Sequence, residues 1–257
     1  MTDTPLLEIK DLCKNFGKFH ALNKVSMTVP AGCMTALIGP NGAGKTTFYN
    51  VVSGRYKPSS GSVFFMGQDV SGKPTHKLVG MGLLRSFQIT NIFPNLTVLE
   101  NVLTPVIIHN GKSFSMFRSL KPRDDFKEQA ERVLDMVGLL HLSNRLASTL
   151  AYGDKRLIEI AIVLARKPKL ILLDEPTAGM NPEETDRIIH LIKELASKSG
   201  ATFFMTEHDM KVVFSIAEQI YVLNQGTPLA SGSPDEIRSN RSVREAYLGG
   251  SLDAKGI

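Results

Sequence analysis

One eight-residue segment constrains this chain more than any other. Gly39-Pro-Asn-Gly-Ala-Gly44-Lys45-Thr46 matches the spacing GxxxxGK[ST] in full. An apolar run of strand length, Cys33–Ile38, precedes it, and a helical pattern from Lys45 to Ser53, closed near Gly54, follows. Glycines free the backbone to curl so that successive N–H groups face an anion. The helix behind adds its unpaired first-turn N–H groups and the positive end of its dipole. Lys45 is placed to reach the β- and γ-phosphates of a nucleotide as a point charge, and the Thr46 hydroxyl to ligate Mg²⁺.

The rest of the chain fits around that unit. Leu7–Leu12 and Val25–Val29 alternate apolar and polar residues, and Val63–Met66 is a further short strand. Thr97-Val-Leu-Glu100 has capping-box spacing and opens a helix that Pro105 is expected to kink or end. Asn110–Lys121 reads as a polar loop, and Pro122–Val137 and Tyr152–Ala165 as amphipathic helices. Then strand and helix alternate: Lys169–Leu173, a helix from Asn181-Pro182-Glu183-Glu184 to about Ser199, Ala201–Thr206, Asp209–Ala217 and Ile220–Leu223. Gln225-Gly226 turns the chain, and Ser233-Pro-Asp-Glu236 is a second capping box. The alternation on both sides of a helical block argues an α/β fold with a mostly parallel sheet.

Leu170-Ile-Leu-Leu-Asp174-Glu175 is an apolar strand ending in two acids. At the mouth of a nucleotide site the first acid can hold the magnesium and its water shell, and the second can position or deprotonate the attacking water. Gln88 follows the strand-like stretch Leu83–Phe87, where its amide can touch both metal and water. His208 follows the strand Ala201–Thr206, at the end where parallel strands meet ligands, and could contact the γ-phosphate.

These pieces, in the order P-loop, Gln88, Leu150-Ala-Tyr-Gly-Asp154, Leu170–Glu175, Ala178-Gly-Met-Asn181 and His208, resemble an ABC-transporter ATPase subunit. The resemblance runs from about Leu6 to Leu248. It implies a P-loop (RecA-like) core, an antiparallel β subdomain and an inserted α-helical subdomain, all in a single ABC ATPase domain over 1–257. Within it, 1–96 and 167–257 form the nucleotide-binding core with the β subdomain, and 97–166 the helical subdomain carrying the signature segment. ATP and Mg²⁺ are the implied cofactors. ATP would be held by Phe16 on the adenine, by Gly39, Pro40, Asn41, Gly42, Ala43, Gly44, Lys45, Thr46 and Thr47, and, across a head-to-tail dimer, by Ala151 and Gly153. The implied metal ligands are Thr46, Gln88 and Asp174, and the implied catalytic residues Glu175, His208 and Gln88.

The signature segment departs from the family's LSGGQ, since Ala151 replaces the serine and Asp154 the glutamine. A serine hydroxyl would donate to the γ-phosphate across the dimer. Losing one neutral hydrogen bond costs about 1 kcal/mol, modest against a whole phosphate site. The departure puts the symmetry of the dimer in question, and the second ATPase subunit is expected to be a paralogue.

LAYGD, AGMNP, EHDM and NQGTPLA are similar to the LivG-type branch serving branched-chain amino acid importers; here they are Leu150–Asp154, Ala178–Pro182, Glu207–Met210 and Asn224–Ala230. Related ATPases for urea, carboxylates or lipid export share much of the pattern. The implied partners are transmembrane permease subunits, met around Ile89–Leu103 through Ile92, Phe93 and Leu96, and, indirectly, a periplasmic binding protein. The implied location is the cytoplasmic face of the inner membrane.

Other readings fail on particular residues. A GTPase needs NKxD to read its base, but the sole Asn-Lys pair, Asn23-Lys24, continues Val25-Ser26. A nucleotide kinase would lack the Leu150–Asp154 segment. Non-transport relatives acting on ribosomes or DNA carry paired units or long coiled coils, and neither pattern occurs here. Two cysteines in 257 residues make neither a disulfide framework nor metal spacing. No run approaches the roughly 20 apolar residues of a membrane helix, and the opening stretch, broken by Glu8, Lys10 and Asp11, is not expected to be a secretion signal. The formal net charge of +5 divides into +5 over residues 1–111, +5 over 112–169 and −5 over the remainder. An anionic nucleotide and proximity to a membrane face account for it without nucleic acid.

Overall fold

The structure, a computed structural model, describes residues 4–86, 92–110 and 124–248. The chain opens with a hairpin, β1 (Leu7–Phe16) and β2 (Phe19–Val29), turning at Gly17 in the left-handed region. β3 (Thr35–Ile38) runs through the glycine-rich loop into α1 (Lys45–Val52). Then come β4 (Ser60–Phe65), β5 (Gln68–Asp69), α2 (Thr75–Met81), β6 (Leu83–Arg85), α3 (Val98–His109), α4 (Asp124–Met136) and α5 (Tyr152–Leu164). The last part alternates: β7 (Leu170–Asp174), α6 (Pro182–Lys198), β8 (Thr202–Thr206), α7 (Met210–Ile216), β9 (Gln219–Asn224), β10 (Thr227–Gly232), α8 (Pro234–Ser239) and α9 (Arg241–Leu248).

Two compact units result, one comprising residues 1–85, 169–178 and 196–257, the other 86–168 and 179–195. The first holds two sheets. An antiparallel sheet has the order β2-β1-β4-β5. β1 buries alternate residues at its start, Leu7 and Ile9. An irregular register between Ile9 and Leu12, with Asp11 in the left-handed region, leaves Lys10 and Asp11 both facing out and returns Leu12 to the inside. The larger sheet has the order β10-β9-β3-β8-β7-β6, parallel throughout except for β10. β3, β7 and β8 are buried at every residue, which is why they read as continuous apolar runs rather than alternating ones. Phe48, Tyr49, Phe65 and Phe204 lie at the centre of this unit's core.

The second unit is helical. Thr97 and Glu100 cap α3 reciprocally: Thr97 N–H donates to Glu100 Oε2 at 2.7 Å, and Glu100 N–H donates to Thr97 Oγ1 at 3.1 Å. Pro105 does not end this helix, which continues to His109. Proline deprives the Asn101 carbonyl of its helical donor, and the residue is buried within α3; burying an apolar ring is favourable and opposes that loss. α4 packs on α3 through Phe126, Ala130 and Leu134, spaced one turn apart. The expected loop Asn110–Lys121, apart from Asn110, lies outside the described residues, as do Phe87 and Gln88. No helix among the described residues is long and apolar enough to cross a membrane.

Candidate active site

Parallel pairing sets the site before any side chain is considered. Leu37 of β3 and Asp174 of β7 both register with Thr206 of β8, and Arg85 of β6 registers with Leu172. The glycine loop, His208, the Asp174-Glu175 pair and Arg85 therefore lie at or just beyond the carboxyl ends of four adjacent strands, the edge where parallel sheets bind ligands.

The loop itself is built by close approach. A side chain on Gly39 would place its Cβ 2.2 Å from the Leu223 carbonyl oxygen, and Gly44, at φ +101, would meet the Ala21 carbonyl at 2.8 Å. Gly226 clamps the loop from outside, donating to the Ala43 carbonyl at 3.0 Å and accepting from Asn23 N–H at 2.8 Å. Gly44 is the N-cap of α1, so the first-turn N–H groups of Lys45, Thr46 and Thr47 open toward the loop without a side-chain cap. Lys45 is buried, and its Nζ donates to the carbonyls of Gly39 at 2.6 Å and Pro40 at 3.2 Å. Burial pushes its ammonium below the ordinary lysine value, while the nearby carboxylates of Glu175 and Asp174 pull it back up. The lysine and both acids are thus electrostatic neighbours, as a phosphate site requires.

Asp174 ends β7 nearly buried, with Oδ1 accepting from the Thr206 hydroxyl at 2.7 Å and Oδ2 from Arg85 Nη2 at 2.5 Å. Glu175 turns the chain at φ +46, a conformation uncommon for a residue with a side chain, and its N–H extends the ladder to the Thr206 carbonyl at 3.0 Å. Thr46 is exposed at the loop's mouth. Hydroxyl and carboxylate oxygens are the donors Mg²⁺ prefers, and among the described residues no cluster of three His, Cys, Asp or Glu forms a cage that would favour another metal. Mg²⁺ is commonly held by one or two carboxylates plus substrate phosphates, which this donor set fits.

His208 is exposed, with Nδ1 3.8 Å from Glu207 Oε2. Glu207 is fully buried: Oε1 accepts from Thr177 N–H at 3.0 Å and from its hydroxyl at 2.7 Å, while Oε2 accepts from His208 N–H at 3.2 Å. One carboxylate therefore ties the residue behind the acidic strand end to the backbone of the histidine. Phe16 is half exposed, its ring meeting Tyr56 edge-on at 5.5 Å with Lys14 Nζ 5.0 Å from its centroid. Arg85, Thr206, Thr177 and Glu207 escaped the sequence reading, because each acts through a partner distant in sequence.

Ala151 and Gly153 belong to the second unit. Ala151 is the N-cap of α5 and makes no side-chain cap. Asp154, where the family has glutamine, accepts from Arg187 Nη1 at 3.2 Å. Glu184 stands beside it: its Oε2 accepts from Asn181 N–H at 3.1 Å, and Asn181 Oδ1 accepts from Glu184 N–H at 2.9 Å. A Cβ on Gly153 would lie 3.2 Å from Glu184 Oε1.

Fold and site together define an ATP-binding cassette, and the comparisons agree. The family model described as "ABC transporter" matches residues 22–178, so the chain belongs to the ABC-transporter ATP-binding family. A second model, described as "Branched-chain amino acid ATP-binding cassette transporter", matches residues 227–253. The high-affinity branched-chain amino acid transport ATP-binding protein LivG of Escherichia coli K12 is 42% identical over 252 residues, covering 95% of this chain and 98% of LivG. Among solved structures, the ADP conformation of MJ1267, an ATP-binding cassette of an ABC transporter, superposes with a TM-score of 0.85 at 35% identity, covering 96% and 99% of the two chains. The dimeric post-hydrolysis state of the cassette MJ0796, bound to ADP and phosphate, superposes with a TM-score of 0.74 at 27% identity, covering 89% and 98%. The family's reaction is ATP hydrolysis.

Proposed function

We propose that this chain is the ATP-hydrolysing motor subunit of a membrane importer for branched-chain or other hydrophobic amino acids, working at the cytoplasmic face of the inner membrane. Its partners in this reading are transmembrane permease subunits, a second ATPase in a head-to-tail dimer, and indirectly a periplasmic binding protein. The cargo follows from relatives such as LivG, matched along nearly the whole chain, and from the C-terminal match; the motor itself touches no cargo. Dimerisation is supported by the dimeric neighbour MJ0796. Exposed Phe93, Ile108 and Leu146 on the helical unit supply apolar surface for the permease.

The single observation that carries the mechanism is the convergence of Lys45, Asp174 and Glu175 at one sheet edge. In this reading the loop N–H groups and Lys45 bind the β- and γ-phosphates, and Phe16 stacks on the adenine. Thr46, Asp174 and Gln88 would hold Mg²⁺, which when bound would supply charge neutralisation at the phosphates. Glu175 takes the proton from the attacking water, and His208 contacts the γ-phosphate. Ala151 and Gly153 close on the partner's nucleotide. Glu175→Gln tests the assignment: nucleotide affinity of the full chain stays within about twofold, while ATP turnover of the assembled complex falls at least 10²-fold, the usual scale of a lost general base. Turnover near the wild-type rate would remove Glu175 from that role.

A further inference from the structure

Arg85 lies outside every motif described so far. It ends β6, three residues ahead of Gln88, and its side chain is only 12% exposed. Its guanidinium is held on three sides. Nη2 donates to Asp174 Oδ2 at 2.5 Å, and Nη1 donates to Asn50 Oδ1 at 2.8 Å and, at longer range, to Ser53 Oγ at 3.4 Å. The group also lies 5.5 Å from the centroid of the Tyr49 ring, whose hydroxyl is fixed by donating to the Phe204 carbonyl at 2.7 Å.

Two consequences follow. With Thr206 on Oδ1 and Arg85 on Oδ2, the Asp174 carboxylate is gripped at both oxygens and cannot rotate freely. Asn50 stands one turn after Thr46 on α1, so a single guanidinium bridges the helix that bears Thr46 and the strand that bears Asp174. A planar fork makes both contacts at once, which an ammonium point charge does not.

We propose that Arg85 is a positioning residue for the metal half of the site, fixing the Asp174 carboxylate relative to α1 and so setting the spacing between Thr46 and Asp174. The proposal rests on the magnesium-nucleotide reading of the site. Charge alone makes the opposite forecast: a cation beside a metal ligand repels the metal, so removing it would tighten magnesium binding. The sign of the effect therefore separates positioning from simple repulsion.

The experiment measures the affinity of the full chain for a fluorescent ATP analogue with Mg²⁺ and with EDTA. The ratio of the two affinities reports the metal's contribution without turnover. Groups that hydrogen-bond metal ligands are worth about 10- to 100-fold in metal affinity. Arg85→Met is expected to cut the magnesium-dependent gain about tenfold while leaving the affinity in EDTA unchanged, and Arg85→Lys to recover at most part of it. Asn50→Leu removes the shorter of the two bonds on the far side of the bridge with the charge retained, and should lose part of the same gain. If Arg85→Met does not fold, Asn50→Leu decides by the same ratio. An unchanged ratio, tighter magnesium binding, or an equal loss with Mg²⁺ and with EDTA overturns the proposal. A wild-type protein with no magnesium-dependent gain would instead overturn the reading of the site on which it rests.

Discussion

Replacing Glu207 tests how the site is braced from behind. Its carboxylate is fully buried and serves the Thr177 N–H, the Thr177 hydroxyl and the His208 N–H. Each bond to a charged acceptor contributes about 1.5–3 kcal/mol net. The three share one side chain and do not add, so we expect Glu207→Ala to cost about 3–5 kcal/mol, the scale of leaving more than one buried donor without its acceptor. Glu207→Gln keeps one carbonyl oxygen for Thr177 but turns an NH₂ toward the His208 N–H, donor against donor. It should cost about 1–2 kcal/mol. Urea unfolding of the full chain checks this: the midpoint shifts with little change in slope. Because Thr177 leads directly into Ala178–Asn181, ATP turnover should fall further than nucleotide affinity. A loss below about 1 kcal/mol for Glu207→Ala would refute the bracing argument, since the two buried Thr177 donors cannot lose their acceptor so cheaply.

Further outcomes follow from the second unit and the caps. Ala151→Ser supplies the missing cap of α5 and should stabilise the chain by about 0.5–1 kcal/mol in thermal or urea unfolding. A double-mutant cycle of Asp154→Asn and Arg187→Gln should give a coupling below about 1 kcal/mol that fades in high salt, because the arginine is largely solvated. The Glu100 carboxyl is held below the usual carboxylate range, first by the Thr97 N–H and then by the Thr97 hydroxyl. A depressed value means the cap stabilises the fold above the unfolded carboxyl value of about 4.3 and loses that contribution as pH falls through the folded value. The stability difference between wild type and Glu100→Gln should therefore be full at neutral pH and vanish in acid, followed by urea midpoints across pH.

Much of this was legible because it is local. The glycine loop, the buried strands β7 and β8, and the capping boxes at Thr97 and Ser233 declare themselves within a few consecutive residues. Elements with weak local signals were missed. β5 has two exposed residues, α2 begins after Pro74 with no side-chain cap, and β10 is mostly solvated and defined by pairing with β9. Of the two outcomes expected at Pro105, ending the helix does not occur: α3 continues to His109 with the proline buried inside it. In the site, the residues proposed to bind nucleotide sit in local motifs, and the residues that brace them do not. Arg85 meets Asp174 across 89 positions and Glu207 meets Thr177 across 30, and no spacing rule links such pairs.

The contact between Gly153 and Glu184 bears on how genetic experiments on this chain are read. Replacing a signature glycine is an obvious way to ask whether that loop touches nucleotide. Here even a methyl group at Gly153 must shift Glu184, whose carboxylate also holds the Asn181 amide at the start of α6. A defect in such an allele would mix two lesions, one in the signature loop and one in the Ala178–Asn181 loop. Because Glu184→Ala clears the crowding but also releases Asn181, Gly153→Ala and Glu184→Ala must each be compared with the double change, and a double change no worse than Glu184→Ala alone would assign the defect to the Ala178–Asn181 loop.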